Sequence, residues 1–215
     1  MTTFLEFKNL IYTNIGRDST DSAMALVVPV AINYALKTAA ALFKPPEMFT
    51  ETDQVVTNGT NSHTFTSSFI DLISIYNVTG SNELGFIAYE NFRVLVPTTT
   101  DVKYYTVFGR YIILNTTVSA DTTLRIGYIA YPDDLENDDD EPSFDEHDSY
   151  IVSVATAICW AVLEEGDSVQ VWESVASALG LPMLKASQAK EVFSGKMAFL
   201  ESAVTGTLTG SQGGQ

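Results

Sequence analysis

Seven carboxylates fall within nine residues at Asp133, Asp134, Glu136, Asp138, Asp139, Asp140 and Glu141, the densest run of potential ligands in the chain. Hard oxygen donors packed this closely could take Ca²⁺, yet the loop order of an EF-hand, with its central glycine, is absent. A solvated acidic link fits the same residues. Carboxylate pairs for glycoside hydrolysis need a fixed separation, and nothing in this spacing fixes one. The two histidines, His63 and His147, lie in different regions and in no metal-ligand spacing; His147, among Asp145, Glu146 and Asp148, is expected at the surface near a helix start. Cys159, the one cysteine, sits between Ile158 and Trp160 and reads as a small buried hydrophobe. No zinc spacing, phosphate-binding glycine loop, dinucleotide fingerprint or serine elbow occurs, and Gly195-Lys196 lacks the upstream glycine of a phosphate loop. These residues point to no enzyme and no cofactor.

Charge narrows the partners. The formal net charge is −16. Residues 1–50 balance, residues 51–125 carry −3, residues 126–184 carry −14 and the remainder +1. No Lys or Arg occurs between Arg125 and Lys185. A surface of this sign repels a phosphate backbone, so specific nucleic-acid binding is not expected. The composition, 46% hydrophobic and 18% charged, is that of a folded chain. The opening MTTFLEFK lacks the basic and apolar regions of a signal peptide, and Ala23 to Ile32, soon interrupted by Asn33 and Lys37, is expected to be too short to cross a bilayer.

The elements that must position these residues change period twice. Thr3 to Glu6 is a capping box opening a helix with Phe4, Phe7, Ile11 and Ile15 on one face, stopped by Gly16. A second helix is expected over 22–43, with Asp21 or Ser22 as its cap and Pro29 forcing a kink or a later start. From Thr50 to Tyr131 the chain is rich in Thr, Val, Ile, Tyr and Phe and reads as strands at 54–57, 63–65, 72–77, 86–95, 104–107, 111–114 and 124–131. Asn58-Gly59 suits a tight hairpin turn. Most aromatic residues of this region are expected in the core, with a minority exposed as an assembly surface. Helical spacing returns over 146–163, where Ser143, Asp145, Glu146 and Asp148 can favour the start and Gly166 stops it. Further helices are expected over 168–178, with Val171, Trp172, Val175 and Leu179 inward, and over 184–202, weakened at Gly195.

The expected fold class is α+β: a helical bundle formed by N- and C-terminal helices with an inserted antiparallel β domain, a sandwich or small barrel. The expected boundaries are 1–49 and 133–204 for the two helical parts, 50–132 for the β domain and 205–215 for a flexible tail.

This order of elements resembles the adaptor, or head–tail connector, proteins of tailed bacteriophages. The resemblance lies in VAINYALKTAAALF with its central Asn33, in GYIAYPDDLENDDDEPSFDEHDSYIVSVATAICWAVLEEGD, and in the short helix around Trp172. The family's link out of its β part is matched here by Tyr128, Pro132, Leu135, Asp138, Asp140 and Pro142, while the density of the acidic run and Pro29 depart from it. The resemblance implies a structural virion protein at the capsid vertex or neck, assembled in the host cytoplasm. It implies a homo-oligomeric ring of about twelve copies that docks on a portal protein, meets a tail or neck protein, and passes double-stranded DNA through its channel without specific binding. Interface candidates on this reading are Asn33, Lys37, Asp133, Asp134, Asp138, Asp139, Asp140, Glu141, Trp172 and Leu208. A negative channel wall would keep DNA from sticking. Other classes stay open: a tail completion or minor capsid subunit, or a ligand-binding or enzymatic domain with a site in the β part.

Overall fold

Thr3 opens α1 (Phe4–Ile15): its hydroxyl accepts from the Glu6 amide at 3.3 Å, and the Glu6 carboxylate accepts from the Thr3 amide at 2.8 Å. Gly16 closes the helix in the left-handed region at φ 63°, where a glycine carries no Cβ penalty. These features belong to a computed structural model that describes residues 2–65, 69–95, 101–144, 147–164 and 166–181. Asp145, Glu146, the helix expected over 184–202 and the tail with Leu208 lie outside the described residues. The chain forms two compact units, one from Met1–Phe43 with Asp134–Gln215 and one from Lys44–Asp133. Helices from both ends of the chain thus flank an inserted β region, an α+β fold.

In the helical unit, α2 (Ser22–Phe43) is capped by Asp21, whose carboxylate accepts from the amides of Ala23 and Met24 at 3.0 and 3.2 Å. The later start expected as one outcome at Pro29 does not occur: α2 begins at Ser22 and runs through the proline, because burial of Met24, Val28, Ala31, Ile32, Ala35, Leu36, Ala39, Ala40 and Phe43 outweighs one missing donor. The expectation that this stretch is too short for a bilayer is also corrected. By length and composition the 22-residue helix is long and apolar enough to cross a membrane, with an 18-residue window of mean hydropathy 1.6, and 44% of that window is buried inside the protein. Its small buried residues let it lie along α4 (Asp148–Val162), whose buried face is Tyr150, Ile151, Ser153, Ala155, Thr156, Ala157 and Cys159, and α1 touches both helices.

Here α4 denotes Asp148–Val162; α3 is a short helix in the β unit. The helix α4 ends four residues before Gly166, with Glu164 at φ 60°, and Gly166 instead lies in a further helix, α5, described over residues 166–181. Val171 and Val175, expected inward, are 61% and 38% exposed. The helix buries Ala176 and Gly180 instead, because Gly180 lies so close to Tyr150 that a Cβ would sit 3.0 Å from its ring.

Cys159 is fully buried on α4 as expected, and desolvation pushes its thiol up to about 11. A raised thiol pKa keeps the group neutral at all lower pH. At pH 8 the folded protein is therefore expected to react with a thiol-specific disulfide reagent at least about a hundredfold more slowly than after unfolding. Equal rates in buffer and in denaturant would contradict this packing.

Among the described residues the β unit holds two four-stranded sheets. The first is ordered β1 (Phe49–Val56), β8 (Thr122–Ala130), β3 (Phe69–Asn77), β4 (Asn82–Glu83). The second is ordered β2 (Ser62–Thr64), β7 (Tyr111–Leu114), β6 (Tyr104–Phe108), β5 (Gly85–Phe86). Strands of both contribute to one core that includes Val56, Ile75, Tyr105, Ile112, Leu114, Leu124, Ile126 and Tyr128, the arrangement of a sandwich. Three expectations change. Asn58-Gly59 is a turn, with Gly59 at φ 82°, but the strands it joins enter different sheets, β1 pairing with β8 and β2 with β7. The stretch 86–95 is a two-residue strand followed by α3 (Tyr89–Leu95), and β5 runs parallel to β6. Of the twelve aromatics between Thr50 and Tyr131, Phe65, Phe92, Tyr105 and Tyr128 are buried, whereas Tyr76, Phe86, Phe108, Tyr111 and Tyr131 are 40–60% exposed.

Candidate functional site

The acidic link is held against the helical unit by backbone more than by charge. The first amides of α1, which have no partner within the helix, donate to the link: Phe4 N–H to the Asp140 carbonyl at 2.8 Å and Leu5 N–H to the Asp138 carbonyl at 3.0 Å. Asn33, midway along α2, clamps Leu135 from both sides. Its Oδ1 accepts from the Leu135 amide at 2.9 Å and its Nδ2 donates to the Leu135 carbonyl at 3.1 Å. Leu135 and Phe144 are buried, so the link carries two apolar anchors.

Three of the carboxylates are used within the chain. Lys37, one turn beyond Asn33, pairs with Asp134 at 2.7 Å, and Lys8 pairs with Asp138 while its ammonium lies over the Phe4 ring. Both pairs are partly exposed and contribute about 0–1 kcal/mol each. Asp140 Oδ2 accepts from the amides of Glu136 and Asn137, both at 2.8 Å. The Asn137 amide first, then that of Glu136, holds the Asp140 carboxyl below its ordinary range. A depressed carboxyl pKa means that this contribution is complete at neutral pH and is lost as acid protonates the group. Asp133, Glu136, Asp139 and Glu141 are exposed, and among the described residues none of their side chains has an ion-pair or hydrogen-bond partner. No grouping suited to a metal ion occurs among the described residues.

His147 is not at the open surface. It precedes α4, half-buried, with its ring centroid 4.4 Å from that of Phe43 and 5.8 Å from that of Phe144. It makes no side-chain cap. Asp148, in the first turn of α4, instead accepts from the Thr2 hydroxyl, tying the start of the chain to this helix. His63 meets Gln54 at 3.0 Å across the β unit.

A second feature of the helical unit is an apolar groove of about 630 Å³ between α2, α4 and α5, bounded by Tyr34, Leu42, Ile158, Ala161, Val169 and Leu181. One carboxylate, Glu173, stands at it with the hydroxyls of Tyr34, Tyr150 and Ser177. Among the described residues no base faces a nucleophile there, so the groove offers packing rather than proton transfer. Trp172, half-buried on α5, is not among the residues lining it.

Asn33, Lys37, Asp134, Asp138 and Asp140 build the link, whereas Asp133, Asp139 and Glu141 remain exposed on it. Sequence reasoning missed Lys8 and Thr2, which lie more than a hundred residues from their partners. A polar pair one turn apart on an apolar helix, facing a link of opposite charge, is the signal that could have found the Asn33 and Lys37 contacts. It also missed Leu26 and Val30, one turn apart on α2 and 76% and 69% exposed. A protein-family model described as SU10 adaptor protein matches residues 2–193. No curated protein matches the chain.

Proposed function

The chain belongs to the SU10 adaptor protein family, a structural phage virion role, and we propose that its copies close into a ring between a capsid portal and a tail or neck protein. The ring, of about twelve copies, continues the DNA channel and forms in the host cytoplasm before joining the virion. It works by position and needs no catalysis or cofactor.

The observation that carries this reading is the exposed apolar pair Leu26 and Val30 on α2, the helix whose opposite face is buried in the helical unit. A head-to-tail ring contact between copies gives such a face a partner. The four exposed, unpaired carboxylates of the link line the channel on this proposal. With −16 per copy, they give DNA a wall to slide past rather than a site to bind.

Replacing Leu26 and Val30 together by aspartate tests the contact. Both side chains are mostly exposed, so folding is expected to change by less than about 0.5 kcal/mol each. Ring formation and capture by the cognate portal are expected to be lost, with melting by circular dichroism unchanged. A variant that assembles like its parent contradicts this contact. Electron microscopy of the ring with Asp133, Glu136, Asp139 and Glu141 on its outer rim would overturn the channel wall.

A further inference from the structure

We propose that the open edge of β1 takes an extended, lysine- or arginine-bearing segment of another protein as an added strand. The direction of each backbone group follows from β8. The Thr123 carbonyl accepts from the Val78 amide at 2.9 Å and the Thr123 amide donates to the Thr79 hydroxyl at 2.9 Å, so the odd-numbered residues of β8 turn toward β3. Its even-numbered residues serve β1, where they meet Thr50, Thr52, Gln54 and Val56. Phe49, Glu51, Asp53 and Val55 therefore face away from the sheet. The Phe49 amide is taken up by the Pro46 carbonyl. Those of Glu51, Asp53 and Val55, with their carbonyls, have no partner among the described residues, and all three side chains are exposed.

Sheet edges are usually blunted by shortness, proline, lysine or a bulge. The other described edge strands, β2, β4 and β5, are three, two and two residues long. In contrast, β1 has eight residues, neither proline nor lysine, and a one-to-one register with β8 throughout. Its charges select the occupant. Arg125 already binds Asp53 through two hydrogen bonds, at 2.9 and 3.1 Å, whereas the Glu51 carboxylate has no such partner among the described residues. A cation opposite Glu51 is favoured across the strands and a second carboxylate is repelled. That argues against a second copy. Pairing β1 with its own copy about Asp53 sets two Asp53 carboxylates opposite each other, and pairing about Thr52 sets Glu51 against Asp53. The short edges β2, β4 and β5 of a neighbour cannot span the three open rungs. A basic strand from a different protein meets both demands, and the formal charge of −16 draws it in. The proposal rests on the β unit alone and does not depend on the ring.

Amide hydrogen exchange in the full chain, resolved by nuclear magnetic resonance, tests it. The probe is a capped peptide alternating lysine and valine, as long as β1, beside its glutamate–valine counterpart. Without peptide, the Glu51, Asp53 and Val55 amides are expected to exchange about a hundredfold faster than those of Thr52 and Gln54. Saturating lysine peptide is expected to slow those three about tenfold or more and to leave Thr52 and Gln54 unchanged, while the glutamate peptide has no effect. Glu51→Lys keeps every backbone group of the edge and is expected to reverse the preference between the peptides. Val55→Pro removes one edge amide without touching the ladder to β8, and is expected to weaken binding of the lysine peptide about tenfold. A lysine peptide that slows none of the three amides overturns the proposal, as does equal binding of both peptides. Edge amides as slow as Thr52 in the dilute free chain also overturn it, and so does protection that grows as the free chain is concentrated, since a second copy would then fill the edge.

Discussion

Phe7→Ala is expected to destabilise the helical unit by about 3–5 kcal/mol, the range for deleting a fully buried aromatic side chain. Phe7 belongs to α1, which packs on both α2 and α4 and whose first amides hold the link at Asp138 and Asp140. A cavity there weakens contacts between the two ends of the chain, which are separated in sequence by the whole β region. Both tryptophans, Trp160 and Trp172, lie in this unit, so their fluorescence follows it without a contribution from the sheets. The urea midpoint read by tryptophan is expected to fall. The β core, which includes no α1 residue, is expected to hold its strand signal in far-ultraviolet circular dichroism to higher denaturant. A loss below about 1 kcal/mol in the tryptophan transition would mean that α1 is not part of the helical core.

Asn33→Ala is expected to cost about 2–3 kcal/mol, because it leaves both the amide and the carbonyl of a buried Leu135 without their partner. The effect exceeds that of either nearby ion pair, since Lys37–Asp134 and Lys8–Asp138 are solvent-exposed in part and screened. Asn33→Asp separates the two bonds: it keeps an acceptor for the Leu135 amide and removes the donor to the Leu135 carbonyl. Hydrogen exchange at the Leu135 amide is expected to accelerate strongly in the alanine variant and less in the aspartate one. Should Asn33→Ala melt within about 0.5 kcal/mol of the parent, Asn33 would not be the clamp.

What could be read from the sequence depended on whether its cause was local. The Thr3–Glu6 capping box, the stop at Gly16 and the cap at Asp21 are decided within a few residues, and the structure bears them out. Strand β7 was legible to the residue, and β8 showed its buried face because Leu124, Ile126 and Tyr128 alternate with exposed Arg125. The stretch 86–95 was not, because Tyr, Phe and Val suit a strand as well as a seven-residue helix, and the spacing of Tyr89 and Phe92 is too short to choose. The chemistry of Asn58-Gly59 was right and its consequence wrong: β1 takes its partner from β8, a pairing no local signal encodes. A later start at Pro29 is ruled out because one lost donor is small beside nine buried side chains. Asn33 and Lys37 stood out as polar residues on an apolar helix, but their partners lie about a hundred residues away in the link. The family resemblance, by contrast, rested on the order of elements, which survives errors at individual strands.

The most direct measurement is the native mass of the purified chain, alone at high concentration and mixed with its cognate portal. The expected result is a closed ring of about twelve copies, or one that closes on the portal and adds a matching complement of subunits to it. A chain that stays a single copy at every concentration and adds no mass to the portal would contradict the proposed ring.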